Sequence, residues 1–318
     1  MRIVLFNPAL STLNLGDEII VDSCMRELSK ISSSAQFASL STPQPMGRVI
    51  PSNLKNVDYR FVCGTNLLKA GMLFGFRQWQ VSYLDTWFAH NAILLGCGWW
   101  QYQEGIDWYS KKLWRKVLSH HELHSVRDEY TLSKLADMGI KNAINTGCPT
   151  MWELDSRHCS GVSAVRAESV VTTLTDYNRN EAADNYLLEV LASNYKTVYL
   201  WPQGFRDLEY LGQLRAPSNL VIVEPSLSAY DYLLGTQDIE YIGTRLHGGI
   251  RALQKSKRTL IIAVDNRATE KQRDFNLNVV QRSDLSRLEE YIGSISSSTI
   301  KINEREIEKF RQKYAITK

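Results

Sequence analysis

The chain has 318 residues, of which 44% are hydrophobic and 22% are charged, and its formal net charge is +3. This length favours two domains of roughly 150 residues each over one large core. The composition is that of an ordinary globular protein, and a small net charge without clustered Lys and Arg argues against a nucleic-acid partner.

The cysteines and the N-terminus bear on the cellular compartment. Five cysteines are scattered without a CxxC pair, which is typical of reduced thiols in a cytosolic protein. The opening MRIVLFNPALST indicates a first β-strand and not a signal peptide. No stretch approaches the roughly 20 apolar residues that span a bilayer. We therefore expect a cytoplasmic protein, and a place at the inner face of the cell membrane stays open.

In the first half, short apolar runs alternate with helix-like segments, which predicts stacked βα units. The strands are predicted at Ile3–Phe6, Arg60–Val62, Ala92–Leu95, His124–Val126 and Ala143–Asn145. One helix is expected after the first strand with Asp17 as its cap, and another over Asp128–Asp137, stopped by Gly139. These elements form a predicted N-terminal Rossmann-like domain over residues 1–158.

A polar, serine-rich stretch at Asp155–Ser169 marks the predicted domain boundary. The alternation then resumes. Strands are predicted at Ser169–Thr173, Thr197–Leu200, Leu220–Val223, Tyr241–Ile242 and Leu260–Val264, and helices at Glu181–Ala192, Tyr230–Gly235 and Leu246–Gln254. A second Rossmann-like domain is therefore expected over residues 165–302, followed by a C-terminal helical segment over 303–318. The predicted fold is α/β, with two domains facing a cleft and ligands beyond the C-terminal strand ends.

The segment GTRLHGGIRALQ (residues 243–254) places Arg245 and His247 where a strand turns into a helix. Its apolar residues recur at helical spacing, which turns His247 away from the core. The pair Gly248–Gly249 costs a helix about 1 kcal/mol per glycine, which makes sense where a ligand or strand approaches the backbone closely. A helix N-terminus also attracts anions. The alternative is a solvated arginine and a histidine satisfied by a local carbonyl.

Two further arginines follow predicted strands. Arg127 opens a helix whose first turn contains Asp128, and a cation at a helix start opposes the helix dipole. That position favours anion binding for Arg127, whereas Asp128 is expected to cap the helix. Arg267 lies on a predicted loop near the same sheet edge, where spacing alone favours an ordinary surface arginine.

The loop after the first strand, NPALSTLNLGDEII, offers Asn14, Gly16 and Asp17 as residues lining the cleft. The alternative is an ordinary helix entry capped by Asp17. Neither GxGxxG nor GxxxxGK[ST] occurs here, so a dinucleotide or P-loop site has little support.

Glycines and aromatic residues mark other strand-to-loop turns. Gly64 bends the chain after one strand, and Trp99 and Trp100 belong to an aromatic-rich loop that also includes Trp108 and Tyr109. Aromatic faces stack on sugars, but core packing is the stronger alternative. His120, His121 and His124 lack acidic or cysteine ligands at a matching spacing, so no metal site is expected.

Four features in chain order, NLGDEII, SVRDEYTLSKLADMGI, GTRLHGGIRAL and a basic residue on the VDNR loop, resemble the polysaccharide pyruvyl transferase family. The resemblance implies a fold similar to the two-domain glycosyltransferase B architecture. It also implies transfer of pyruvate from phosphoenolpyruvate (PEP), as co-substrate without another cofactor, onto a cell-surface glycan or its lipid-linked precursor. The residues assigned to PEP by the resemblance are Arg127, Arg245, His247 and Arg267. The family usually has Lys at the last position, and Arg keeps the charge but cannot donate a proton.

We expect His247 to be the general acid that protonates PEP, with Arg245 beside it in the catalytic site. Two alternatives stay open at this point. A glycosyltransferase using a nucleotide sugar would need a ribose-binding carboxylate, for which Glu224 and Asp265 are candidates. A non-catalytic relative is supported only by the departure at Arg267. The acceptor sugar and any peripheral membrane association are not determined by these residues.

Overall fold

A computed structural model describes residues 1–47, 54–294 and 299–315, apart from the side chain of Asn266. The chain forms two compact units. The first comprises Met1–Thr12, Ile20–Trp152 and Asn303–Lys318, and the second comprises Leu13–Ile19 and Glu153–Ile302. This division differs from the predicted one. The boundary between the units lies after residue 152 and not after residue 158. The C-terminal helix belongs to the first unit, and seven residues near the N-terminus belong to the second unit.

The first unit is built on a parallel sheet of four strands in the order β2-β1-β3-β4, with a separate parallel pair β5-β6. The strands are β1 (Arg2–Asn7), β2 (Gln36–Ser41), β3 (Tyr59–Cys63), β4 (Ala92–Leu95), β5 (His124–Val126) and β6 (Ala143–Asn145). The helices are α1 (Leu15–Ile31, which begins in the second unit), α2 (Thr86–Ala89), α3 (Trp108–Val117) and α4 (Glu129–Asp137), with a C-terminal helix over Glu304–Tyr314.

The predicted strands of this unit are confirmed, and β2 is an addition. β2 lies at the sheet edge and is only half-buried, so it lacks the apolar run by which the other strands are recognised. The prediction that Trp108 and Tyr109 lie on a loop is wrong. They are the first residues of α3, because Asp107 caps that helix by accepting a hydrogen bond from Ser110 N.

The second unit has six parallel strands in the order β12-β11-β10-β7-β8-β9. They are β7 (Ser169–Thr172), β8 (Thr197–Leu200), β9 (Leu220–Ile222), β10 (Ile239–Gly243), β11 (Thr259–Ala263) and β12 (Val279–Gln281). The helices are α5 (Ser156–Ser160), α6 (Glu181–Asn194), α7 (Asp207–Leu211), α8 (Leu227–Thr236), α9 (Leu246–Gln254), α10 (Asn266–Phe275) and α11 (Leu288–Ser294). Together the two units confirm the mixed α/β class with parallel sheets.

The order of strands reverses between β7 and β10. The chain runs outward from β7 to β8 and β9, then crosses back to place β10 on the other side of β7. In open parallel sheets, ligands bind beyond the carboxyl ends of the strands at such a topological switch point. The loops that follow β7 and β10 are therefore the first place to look for a site.

The predicted boundary segment Asp155–Ser169 is part of the second unit and not a linker. Asp155 caps the short helix α5, and the His158 ring nitrogen Nε2 lies 2.7 Å from the carbonyl oxygen of Leu253. All five cysteines are buried free thiols. Among the described helices, none is long and apolar enough to cross a membrane.

Candidate functional site at the strand switch point

Hydrogen bonds join the two loops at the switch point. Thr175 Oγ1 and Thr244 Oγ1 are 2.8 Å apart, and the Tyr241 hydroxyl lies 2.6 Å from Thr173 Oγ1. Each of these side chains is buried, and each pair joins residues that are about 70 positions apart in sequence. These hydrogen bonds fix the backbone of the β10–α9 junction, which contains Arg245 as the N-cap residue of α9.

Arg245 is held by three acceptors and is only 5% exposed. Its Nε donates to the carbonyl of Leu174 at 2.8 Å, and its Nη2 donates to Asp176 at 2.7 Å and also to Asp207. Burial disfavours its charge, but the pKa of Arg245 is nevertheless raised because Asp207 and Asp176 outweigh that effect. Nη1 donates to none of the residues that the structure describes, so this nitrogen remains available for a ligand.

Asp207 is a buried carboxylate that links Arg245 to the β8–α7 loop. Its Oδ2 accepts hydrogen bonds from the backbone N–H groups of Gln203 at 3.0 Å and Gly204 at 2.7 Å. Burial raises the pKa of the Asp207 carboxyl, even though Arg245 favours its ionised form. Removal of this charge would leave a buried guanidinium with one carboxylate where it now has two.

Gln203 lies between the first turns of α1 and α9. It is 4% exposed, its Nε2 donates to Asn14 Oδ1 at 3.2 Å, and its Oε1 has no hydrogen-bond partner among the described residues. A Cβ on Gly16 would lie 2.6 Å from Nε2, and a Cβ on Gly248 would lie 3.2 Å from Oε1. Both glycines thus allow the close approach of this amide, and its Oε1 is one acceptor for a donor on a ligand.

Asn14 and Gly16 therefore lie beside Gln203 in the second unit. Asn14 directly precedes α1 and caps it, because its Oδ1 accepts a hydrogen bond from Gly16 N at 3.1 Å. The prediction that Asp17 caps the helix is wrong. Asp17 lies inside the first turn, where it accepts a hydrogen bond from Asn14 Nδ2 at 3.2 Å and favours the helix dipole.

His247 is the second residue of α9, and it is half-buried. The predicted helix Leu246–Gln254 is confirmed with the same bounds. Its first turn places His247 next to Gly248, where an added Cβ would lie 3.2 Å from Gln203 Oε1. His247 and Gln203 thus lie at the same helix N-terminus.

The prediction that Arg267 lies on a loop is wrong, because the residue belongs to the first turn of α10. Asp265 caps this helix by accepting from Arg267 N at 3.0 Å, and it also pairs with the guanidinium at 2.5 Å. Burial opposes ionisation of Asp265, but the hydrogen bond and charge of Arg267 outweigh it, so the pKa of Asp265 is lowered. The pKa of Arg267 is correspondingly raised.

Tyr177 connects the two arginines and was not predicted as a site residue. Its ring centroid lies 5.0 Å from the guanidinium carbon of Arg245 and 5.7 Å from that of Arg267, and 57% of the residue is exposed. Its hydroxyl contacts Arg267 Nη2 and donates to Asp265 Oδ2 at 3.2 Å. The segment TDYN follows β7 as the predicted arginines follow their strands, and that position was the available signal.

Arg127 belongs to the first unit and so is not in the same unit as the other residues assigned to PEP. It follows β5, and its Nε lies 3.0 Å from Asp128 Oδ2. Asp128 caps α4 through Thr131 N at 2.7 Å, as predicted. The Arg127 side chain covers Gly98, where a Cβ would lie 2.1 Å from Nε.

The candidate acceptor residues of the first unit divide into packed and accessible ones. Trp99 is buried and its Nε1 donates to Gln103 at 2.7 Å, which supports the packing interpretation. Gly64 is also buried, and a Cβ there would lie 2.5 Å from the carbonyl oxygen of Gly96, so the glycine permits two backbones to approach. Trp100 remains half-exposed, with Lys69 Nζ 4.8 Å from its ring centroid.

Comparison with known protein families gives a match over most of the chain. The sequence model of the polysaccharide pyruvyl transferases matches residues 14–266, which is most of the chain. The chain belongs to the polysaccharide pyruvyl transferase family. Pyruvyl transfer to a polysaccharide is the general activity that this membership supports.

The match to the polysaccharide pyruvyl transferases begins at Asn14 and ends one residue before Arg267. The predicted departure from the family's usual Lys therefore lies just beyond the matched range, whereas Arg127, Arg245 and His247 lie within it. Asp176, Tyr177, Gln203 and Asp207 also lie within the match.

No curated protein matches the chain. Among solved structures, the crystal structure of Arabidopsis thaliana UGT89C1 complexed with UDP is similar, with 10% sequence identity and a TM-score of 0.45. The similarity covers 99% of each chain.

Proposed function

We propose that the protein transfers the pyruvyl group of PEP onto a pair of hydroxyls of one sugar, in a cell-surface polysaccharide or its lipid-linked precursor, and releases phosphate. Family membership supports pyruvyl transfer in general. The choice of PEP as donor rests on the charges and hydrogen-bond donors at the switch point of the second unit.

The observation that carries the proposal is the way Arg245 and Arg267 are held. Each guanidinium is fixed through Nε and Nη2, and in each the Nη1 donates to none of the described residues. Both flank the ring of Tyr177. Fixed guanidinium groups with unused N–H donors suit a carboxylate or phosphate, because little conformational entropy is lost when they bind it.

The carboxylates around these arginines limit the charge of the site. Asp176, Asp207 and Asp265 offset the two guanidiniums, so the second unit does not offer the surplus of positive charge that the sequence indicated. The N-terminus of α9 contributes a further partial positive charge at His247. Arg127, which the family resemblance also assigns to PEP, belongs to the first unit.

In the proposed reaction, His247 donates a proton to the methylene carbon of PEP, which makes C2 electrophilic. An acceptor hydroxyl attacks C2, and its proton restores the acid. The C2–O bond to phosphate then breaks, phosphate leaves with the bonding electrons, and the second hydroxyl attacks C2 to close the ketal. The proton of that hydroxyl leaves with phosphate, so one PEP and one diol give one ketal and one phosphate.

Titration calorimetry with PEP tests the donor assignment through two matched variants of the same helix. Arg245→Lys keeps a charge but loses the fork that contacts Leu174, Asp176 and Asp207, whereas Arg251→Lys makes the same change in the pair of Arg251 with Asp231. We expect Arg245→Lys to weaken PEP binding about tenfold or more and Arg251→Lys to leave it within about threefold.

Two outcomes would overturn the donor assignment. One is equal weakening of PEP binding by both variants, since the effect would then come from general loss of helix packing. The other is saturable binding of UDP with no binding of millimolar PEP, which would favour the nucleotide-sugar alternative. Thermal unfolding of each variant verifies that the folded protein is being compared.

A further inference from the structure

The first unit exposes a cluster of large apolar side chains around the start of α3. Phe74 is 79% exposed, Leu84 is 80% exposed and Trp108 is 73% exposed. Four neighbours in sequence are also exposed: Leu73, Phe76, Trp87 and Tyr102. So many large exposed apolar side chains on neighbouring segments indicate an interaction site more than an ordinary solvated face.

Backbone hydrogen bonds attach the segments that contain these side chains to the N-terminal turns of α3. Gly71 N donates to Asp107 at 2.6 Å and Met72 N donates to Ser110 at 2.8 Å, which anchors the loop that contains Phe74 and Phe76. The neighbouring turn is attached in the same way. Tyr83 N donates to the Tyr109 hydroxyl at 3.4 Å, and Lys112 Nζ lies 5.4 Å from the Tyr83 ring centroid.

Helix α3 presents only cations among its charged residues. Its buried face consists of Ser110, Leu113, Trp114 and Val117, and its exposed face consists of Trp108, Lys111, Lys112, Arg115 and Lys116. We call the exposed apolar residues listed above together with this exposed face the α3 patch.

The charge of the α3 patch is concentrated compared with that of the whole chain. Residues 69–87 and 99–116 contain six basic and three acidic residues, an excess equal to the +3 of all 318 residues. Two of the three acids are engaged in hydrogen bonds, Asp85 with Ser82 N at 2.7 Å and Asp107 with Gly71 N. The four cations on the exposed face of α3 nevertheless outnumber the three acids of these segments, and α3 itself contains no acidic residue.

We propose that the α3 patch binds the surface of an anionic lipid bilayer. Phe, Leu and Trp side chains that protrude beside lysines match the two parts of such a surface, with the apolar groups entering the acyl boundary and the ammonium groups contacting the headgroups. A second protein copy would bring the like charges of two such patches together, which disfavours self-association. The inference does not depend on PEP as donor.

Cosedimentation with vesicles tests the proposal on the full chain. We expect binding to vesicles of phosphatidylcholine with phosphatidylglycerol, weaker binding to phosphatidylcholine alone, and loss of the difference between them at about 1 M salt, where charges are screened beyond about 3 Å. Wild-type protein that stays in the supernatant with anionic vesicles at low salt would overturn the proposal.

Paired variants separate the apolar from the electrostatic contribution. Phe74→Ser with Phe76→Ser should reduce partitioning to both kinds of vesicle, and Lys111→Glu with Lys112→Glu should reduce partitioning to anionic vesicles about tenfold or more. Tyr232→Ser with Lys257→Glu is the control variant, because Tyr232 lies in the second unit and its exposed fraction is between those of Phe74 and Phe76. A control variant that loses as much binding would contradict an assignment to the α3 patch.

Gel filtration distinguishes the other occupant. A concentration-dependent dimer that Phe74→Ser dissociates, without vesicle binding, would assign the patch to a second copy and overturn the bilayer proposal. PEP binding measured on the Phe74→Ser, Phe76→Ser variant should be unchanged, so a failed membrane assay and a failed donor assay are distinct results.

Discussion

Tyr177 and Arg267 are joined through the tyrosine hydroxyl, and the same hydroxyl contacts Asp265. This contact crosses 90 positions of sequence and attaches the loop after β7 to the first turn of α10. The exposed ring of Tyr177 also lies near the guanidinium of Arg245, so both arginines are close to the same aromatic ring. A change at either arginine is therefore expected to affect the other through Tyr177.

Arg267 lies where the family resemblance implies a lysine, and two substitutions test whether only its charge is needed. Arg267→Gln should weaken PEP binding about tenfold, because a charge-assisted hydrogen bond is worth about 1.5–3 kcal/mol. Arg267→Lys should retain most of the affinity. Calorimetric titration with PEP measures both, and a Gln variant with wild-type affinity would remove Arg267 from the donor site.

His247 is expected to act in the chemical step and not in donor binding. His247→Gln should lower kcat by about 10²–10⁴-fold while the Kd for PEP stays within about threefold, because general acid catalysis contributes that range. Phosphate release in the presence of a sugar acceptor gives kcat, and calorimetry gives Kd. Full turnover by the variant would exclude His247 as the acid.

Asp207 is expected to contribute strongly to stability. Asp207→Asn removes one of the two carboxylates around buried Arg245 and should lower the free energy of unfolding by about 2 kcal/mol. Asp231→Asn is a suitable comparison, because that carboxylate pairs with Arg251 but is partly exposed, and its loss should be smaller. Urea unfolding measures both, and the reverse order would show that Arg245 does not need Asp207.

The glycine pair of α9 gives a prediction that opposes helix propensity. A Cβ on Gly249 would lie 2.6 Å from the Ile261 side chain and 2.8 Å from the Tyr241 ring. Gly249→Ala gains about 1 kcal/mol in helix propensity, but overpacking costs about 1–3 kcal/mol, so we expect a net loss. Gly235→Ala in α8, where a Cβ meets nothing within 4 Å, should instead stabilise the fold. Thermal unfolding compares the two variants, which should shift Tm in opposite directions.

His124 makes stability depend on pH in a defined window. It is buried beside Leu94 N and the carbonyl of Ser119, and burial lowers the pKa of its ring to about 4. The unfolded chain, with an ordinary pKa of about 6.5, binds the proton first. Stability is therefore fully present above pH 6.5 and falls as the pH drops towards 4, by about 2 kcal/mol between pH 7 and pH 5.

Urea unfolding at pH 7 and pH 5 measures this dependence on His124. His124→Asn should be less stable at pH 7 but should lose most of the difference between the two pH values. An unchanged difference in the variant would assign the pH dependence to other groups.

The parts of the fold that the sequence predicted are those in which burial leaves a local pattern. Strands such as β4 and β8 are short runs rich in apolar residues between polar segments, and they were predicted with the bounds that the structure has. The strands β2 and β12 were missed, because β2 is only half-buried and lacks an apolar run, and β12 has only three residues in all. The helix α10 was missed because its composition is almost wholly polar.

The sequence predicted which residues follow a strand and open a helix, but not which side chains form ion pairs or hydrogen bonds with them. Arg245 and His247 were found because they follow a strand and open a helix. Asp176 and Asp207 lie 69 and 38 positions from Arg245, and no local pattern reveals that their carboxylates neutralise its charge. The contact of Gln203 with Asn14, across 189 positions, likewise depends on the tertiary fold alone.

The division of the chain between the two units has a consequence for synthesis on the ribosome. The first unit packs Phe310 and Tyr314 of its C-terminal helix against Phe61 of β3, and Phe61 and Phe310 are almost wholly buried. The residues of the second unit emerge between these partners. The first unit therefore cannot complete its packing until residues 153–302 and then its helix Glu304–Tyr314 have been translated, and until then Phe61 of its sheet lacks two aromatic partners.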